Sequence, residues 1–219
     1  VARRMVAFLV LLYSVYVGAL LVGGLGLWLG LFPGPAPWSL TLLPAGLSAL
    51  AIVVALAAAA LPNDLGRRGH GRILDTAGKG LSTVAVGTRD ALRTLREKPL
   101  LSSVGALVWW GFDIAVLWAS FKAFGTPPHL AVIVLAYFVG TLGNLLPLPG
   151  GVGGVDGGII AVLLGFGVGG GIAVLAVLTH RVFAFWLPTV PGGIAYLQLR
   201  RTVGRWERDE APQPAPAHA

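Results

Sequence analysis

Leu145–Gly158 reads LLPLPGGVGGVDGG, with apolar helical sequence on both sides. Proline lacks the amide that an interior helical turn needs, and glycine is costly to order. The stretch therefore predicts a break in a membrane helix. At membrane depth, irregular backbone is tolerated only where protein buries it or where it lines a polar cavity. The stretch also carries a carboxylate, Asp156, where an unpaired charge is expensive. A broken helix that holds an acid reads as a site rather than as a packing motif.

Outward from this break, the composition sets the class. Of 219 residues, 56% are hydrophobic and 11% charged, against about a quarter charged in a soluble domain. Mean hydropathy is +0.81. Several apolar runs approach the roughly 20 residues that cross a bilayer as a helix. The short alternating segments of a membrane barrel are absent from the sequence. The expected fold is all-α, a polytopic transmembrane helix bundle with a re-entrant broken-helix hairpin.

The net charge of +7 matters through its placement. Eight of the sixteen basic residues fall between Pro62 and Lys98, and Arg200, Arg201, Arg205 and Arg208 follow the final apolar run. Arg3 and Arg4 precede the first run, whereas the FPGPAP turn at 32–37 is uncharged. Basic residues favour the cytoplasmic side, which puts both termini and 62–98 there, in a plasma (inner) membrane. Topology accounts for these bases, so no nucleic-acid partner is expected. With no cysteine in the chain, disulfides, thiolate metal sites and a cysteine nucleophile are excluded. The first run, from Met5, lacks a clear cleavage site and reads as a retained helix.

Four segments follow. Residues 1–61 hold transmembrane helices 1 and 2, with Gly18, Gly23, Gly24 and Gly26 giving the first a small-residue face for close packing. Residues 62–98 form a cytoplasmic amphipathic segment, helical over 71–79 and 81–98, with Leu81, Val84, Thr88, Leu92 and Leu95 on one face. Residues 99–199 contain transmembrane helix 3 (99–124), the broken region and a last helix (172–199) interrupted at Pro188, Pro191, Gly192 and Gly193. Residues 200–219 are a basic stretch and then a disordered tail, from 207 on. Two arrangements fit 130–165. In one, 130–146 and 155–165 form a re-entrant hairpin entering from the outer side; in the other, both cross. The first is favoured because 155–165 is too short to cross.

Three ionisable residues lie inside apolar runs: Asp113, Asp156 and Arg181. Intramembrane charges pair with one another or line a watery cavity, and Asp156 with Arg181 is the expected pair. For Asp113, a hydrogen bond to a neighbour competes with a functional role. His180 reads as a packing or interfacial residue, since no second histidine stands at metal-ligand spacing; no metal and no cofactor are expected. Gly150, Gly151, Gly153 and Gly154 mimic a phosphate loop, but no strand precedes them and no Lys-Ser/Thr follows. A half-helix starting near Asp156 would still present free amides to an anion, with Asp156 as its cap and Arg181 beside a lipid phosphate. Broken helices serve transporters in this way. The chain has no convincing Ser/His/Asp set and reads as a non-enzyme.

NLLPLPGGVGGVDGGIIAVLLGFGV (144–168), followed by AVLTHRVFAFWLPTVPGGIAYL (176–197), resembles the transmembrane region of the lysylphosphatidylglycerol synthase family, a flippase-like domain. The residues that carry the likeness are Pro147, Pro149, Gly150, Gly151, Gly153, Asp156, Arg181, Phe185, Trp186 and Pro188. The acid of that pattern is usually Glu; Asp156 keeps the charge and shortens the reach by one methylene. Asp113 is similar to an acid that recurs two helices earlier. The likeness is specific over 125–199 and looser over 1–124, as in the C-terminal portion of such a domain. It implies translocation of an anionic or aminoacylated phospholipid, or of a polyprenyl-phosphate lipid, between leaflets. The cavity would hold Asp156, Arg181, Asp113, Gly150, Gly151 and Gly153, with Pro147, Pro149, Trp186 and Pro188 as structural motif residues. The competing expectation is a non-transporting scaffold or subunit for an envelope-lipid or glycosyltransferase enzyme. Membrane lipids are the expected partners; a membrane enzyme partner and a homo-oligomer are both compatible with the sequence.

Overall fold

In lipid, long runs of Leu, Val, Ala and Gly must satisfy their backbone amides internally, and a helix does so within one segment. The computed structural model describes residues 2–60, 85–93, 97, 99–145 and 153–209, and all regular structure among them is helical. In chain order these are α1 (Ala2–Trp28), α2 (Trp38–Ala60), α3 (Pro99–Phe124), α4 (Leu130–Thr141), α5 (Gly154–Gly165), α6 (Gly170–Arg181) and α7 (Leu187–Asp209). A 3₁₀ turn, Leu142–Leu145, ends α4, and a π turn, Val182–Trp186, joins α6 to α7. A further helical stretch covers 85–93.

Four stretches among the described residues are long and apolar enough to cross a membrane: Phe8–Trp28, Trp38–Ala60, Val104–Phe124 and Gly170–Val203. α4 and α5 are not. Each has 12 residues of α-helix, about 18 Å, against a hydrocarbon layer of about 30 Å. They run antiparallel and pack on each other, in the manner of a hairpin of half-length helices. The contact is backbone to backbone. A Cβ added at Gly140 would meet the Ile159 nitrogen at 2.5 Å, and one at Gly143 would meet the Gly154 carbonyl oxygen at 2.2 Å. A Cβ at Gly158 would lie 2.7 Å from the Gly140 carbonyl oxygen. Small residues drive helix association in lipid through this kind of close approach.

The core forms where the hairpin meets the long helices. Leu117 and Phe121 of α3, Ile133, Leu135 and Phe138 of α4, Ile159 and Leu163 of α5, and Val177 of α6 are fully buried. α1 packs on α2 and α4, and α3 on α6. Of the α1 glycines, Gly24 lies against the Thr41 carbonyl of α2 and Gly23 against Leu135 of α4, while Gly18 faces open space. Tyr16 donates to the Phe138 carbonyl at 2.5 Å and Trp110 to the Leu12 carbonyl at 2.9 Å, tying α1 to α4 and α3.

Three details depart from the expectations above. The final helix is not interrupted at Pro188, Pro191, Gly192 or Gly193; it continues to Asp209, and its irregularity sits earlier, at 182–186. The Leu187 amide bonds the Val182 carbonyl, five residues back. A wide turn just ahead of Pro188 relieves the clash between a proline ring and the carbonyl four residues before it. Residues 207–209, expected in the disordered tail, are part of that helix, and 210–219 lie outside the described residues. Within 62–98, only 85–93 and 97 are described. There the packed face is Ala85, Thr88 and Ala91, whereas Leu92 is 39% exposed. Small side chains let this stretch approach the end of α2, where Arg89 Nε donates to the Ala59 carbonyl at 2.7 Å. Arg93 pairs with Glu97 at 2.7 Å on the exposed side, which raises the Arg93 pKa from its ordinary value.

The hairpin contact makes Gly140→Ala an overpacking change, expected to lower stability by about 1–3 kcal/mol. Gly105, also helical, has open space around it, so Gly105→Ala is expected to be neutral or to stabilise by up to about 1 kcal/mol. Unfolding of the detergent-solubilised protein measures both, and equal effects would contradict the backbone contact.

Candidate functional site

The site begins at the start of α5. Gly153 has φ +85°, a left-handed conformation that favours glycine, and it turns the chain into the helix. Its amide donates to Asp156 Oδ2 at 3.2 Å. The carboxylate thus satisfies one of the orphan amides at the helix N-terminus, where the dipole also favours negative charge. The other oxygen, Oδ1, lies 3.3 Å from Arg181 Nε at the end of α6. Both side chains are largely withdrawn from solvent, 14% exposed for Arg181 and 12% for Asp156. The Arg181 guanidinium also sits over the Phe185 ring, 4.9 Å from its centroid, so the π turn supplies a second partner for the cation.

A second cluster adjoins the first. Asp113 of α3 accepts from the Tyr137 hydroxyl of α4 through Oδ2. Its Oδ1 lies 3.2 Å from His180 Nε2 on α6. His180 is buried, and its Nδ1 has no hydrogen-bond partner among the described residues. An ionised carboxylate only accepts, so Nε2 carries the hydrogen and Nδ1 is the open nitrogen. Around this cluster stand Tyr16, Trp110 and Phe138, in edge-on contacts with centroids 4.8 to 5.9 Å apart. Tyr137 closes the ring of aromatics against Trp110 and His180, at 6.1 Å from each.

His180 and Arg181 are neighbours in sequence and point about 100° apart around the helix. One faces α3 and α4 and the other faces α5. Arg181 also lies within electrostatic reach of Asp113, so the two clusters form a single polar layer. Its depth follows from the helices. Asp113 is 11 residues from the end of α3 and Arg181 is 11 residues from the start of α6, about 17 Å in each case. That is close to the middle of an apolar layer of about 30 Å.

Of the residues expected at the site, the structure brings Asp113, Gly153, Asp156 and Arg181 into this layer. Trp186 is the last residue of the π turn and 52% exposed, and Pro188 lies in the first turn of α7. Pro147, Pro149, Gly150 and Gly151 lie outside the described residues. Two residues of the layer escaped the sequence reading. Tyr137 stands in a run of apolar residues and His180 had been read as packing. The available signal was that each supplies a polar atom inside an apolar run. Among the described residues, no group of three His, Cys, Asp or Glu is placed to hold a metal ion.

Removing one member of a buried ion pair strands the other, at a cost on the order of 3–5 kcal/mol. Asp156→Asn and Arg181→Gln are each expected to destabilise the protein. The double variant should lose less than their sum, with a coupling above about 1 kcal/mol. Additive losses in denaturant titrations of the four proteins would mean that the two side chains do not interact.

Over residues 1–192 the chain matches the family described as Lysylphosphatidylglycerol synthase TM region, well beyond the 125–199 where the likeness was most specific. Curated relatives include a UPF0104 membrane protein of Methanothermobacter thermautotrophicus, 33% identical over 45% of this chain and 30% of the relative. Another, from Pyrococcus horikoshii, is 30% identical over 50% of this chain and 34% of its own length. The chain spans about a third of the length of the curated relatives it matches. No solved structure matches it.

Proposed function

We propose that this chain, which belongs to the lysylphosphatidylglycerol synthase TM region family, moves a lipid with a phosphate in its head group between the leaflets of the cell membrane. It is a multi-pass membrane protein. The observation that carries the reading is the Arg181–Asp156 pair, withdrawn from solvent at mid-layer depth beside the N-terminus of a half-length helix. Charges held there mark substrate pathways more often than scaffolding. Half-helix N-termini aimed at anionic substrates are a recurring device of transporters.

In this reading Arg181 engages the phosphate and Asp156 holds the guanidinium in place when the site is vacant. A phosphate competes with the carboxylate for the same donors, and charge-assisted bonds of arginine to either are of similar strength. Exchange of one partner for the other therefore moves the head group past mid-depth without leaving the cation unpaired. The amide end of α5 adds a favourable field for the anion. The reading places both termini on the cytoplasmic side, assigns the chain no chemistry on the lipid, and leaves the lipid class at phosphatidylglycerol-like or polyprenyl-phosphate head groups.

Reconstitution into liposomes with a fluorescent phosphatidylglycerol in one leaflet tests it. Wild type is expected to exchange the label between leaflets. Arg181→Ala should abolish the exchange with insertion unchanged, and Arg181→Lys, a cation without the bidentate fork, should retain a fraction. Full exchange by Arg181→Ala would refute the assignment. No exchange by wild type, together with stoichiometric co-purification of a membrane enzyme, would favour a scaffold.

A further inference from the structure

The two clusters differ in how their charges balance. Asp113 and Asp156 are two carboxylates, and Arg181 is the one permanent cation that faces them among the described residues. The segment 146–152, LPLPGGV, brings no ionisable side chain to the hairpin tip. While His180 is neutral the layer therefore holds one negative charge in excess. Mid-membrane is where such an excess is least tolerated. A proton at His180 Nδ1 removes it, and that nitrogen is buried and without a partner among the described residues.

We infer that His180 takes up a proton when a phosphate head group enters beside Arg181, so that the site binds proton and anionic lipid together. This rests on the phosphate-site reading above and adds the coupled ion to it. An incoming phosphodiester brings another negative charge to a layer that already has one to spare, and an imidazolium one residue from Arg181 offsets it. Histidine is the side chain whose ordinary titration falls in the physiological range. The groups that face it from each packed element are named above: Asp113 from α3, Tyr137 from α4, Asp156 from α5 by way of Arg181, and Arg181 on its own helix. The Tyr16 hydroxyl from α1 is engaged by the Phe138 carbonyl. Asp113 accepts from both Tyr137 and His180 Nε2, which fixes the ring and directs the incoming proton to Nδ1. Linkage makes the effect reciprocal: the proton tightens phosphate binding by the factor with which phosphate tightens proton binding.

The test is calorimetric titration of the purified full chain in detergent with dihexanoyl phosphatidylglycerol, whose phosphodiester keeps one charge from about pH 5.5 to pH 8. Each titration is run in two buffers of different ionisation heat, and the difference counts protons taken up. Wild-type affinity is expected to rise as pH falls, by at most about tenfold per pH unit for one linked proton, with buffer-dependent heat. His180→Gln keeps a donor toward Asp113 and cannot be protonated. It is expected to show, at every pH, the affinity of wild type at pH 8, with no buffer dependence. Asp113→Asn is the second arm. It removes the excess charge with the histidine in place, and the pH dependence is expected to vanish above about pH 6. pH-independent binding by wild type, or a pH dependence that survives in His180→Gln, would overturn the coupling alone. Absence of binding by wild type at any pH would overturn the phosphate site and the coupling together.

Discussion

The close approach of α4 and α5 is the constraint from which the rest follows. Each helix is too short to cross a bilayer, so neither is stable there without the other, and glycines at 140, 143 and 158 let their backbones touch. That contact holds the tip of a hairpin inside the apolar layer. The N-terminus of α5 is thereby delivered, with its unpaired amides, to the depth at which α6 presents Arg181. A full-length helix in the same place would bring only hydrocarbon to that depth.

Asp156 converts this placement into a defined geometry. One oxygen answers the Gly153 amide and the other answers Arg181. The hairpin tip and the last long helix are joined through a single carboxylate. On the other side of α6, Asp113 joins α3, α4 and α6 through Tyr137 and His180. Two acids on different helices thus take hold of adjacent residues of α6 from opposite sides, which fixes its rotation. Buried polar groups in lipid serve best when each has its partner, and the nitrogen without one, His180 Nδ1, draws its interest from that contrast.

The helices that cross were legible from length and hydropathy alone; the 99–124 run coincides with α3. The Asp156–Arg181 contact was legible as well, because two charges inside apolar runs have few other ways to be satisfied. The partners of Asp113 were not. They lie 24 and 67 residues away, on faces set by how α3, α4 and α6 rotate against one another, and periodicity cannot fix rotation in helices that are apolar all round. Small residues misled in a second way. The 85–93 stretch packs through Ala85, Thr88 and Ala91 rather than through its leucines, since close approach and not side-chain size governs contact there. The prolines and glycines after 187 pointed to a break that a π turn upstream absorbs.

That π turn divides the last helix into two faces whose phases are independent. A π turn holds one more residue than the α turn it replaces, and each residue of an α-helix advances its face by about 100°. Loss of one residue between Val182 and Trp186 would restore a continuous α-helix. It would also turn everything from Leu187 onward by about that angle, with Asp113, His180, Arg181 and Asp156 left where they are. The half of the helix that holds the polar layer and the half that leads out of it are therefore separately tunable. Insertions and deletions at this spot belong to the small class of length changes that a membrane-spanning helix can absorb.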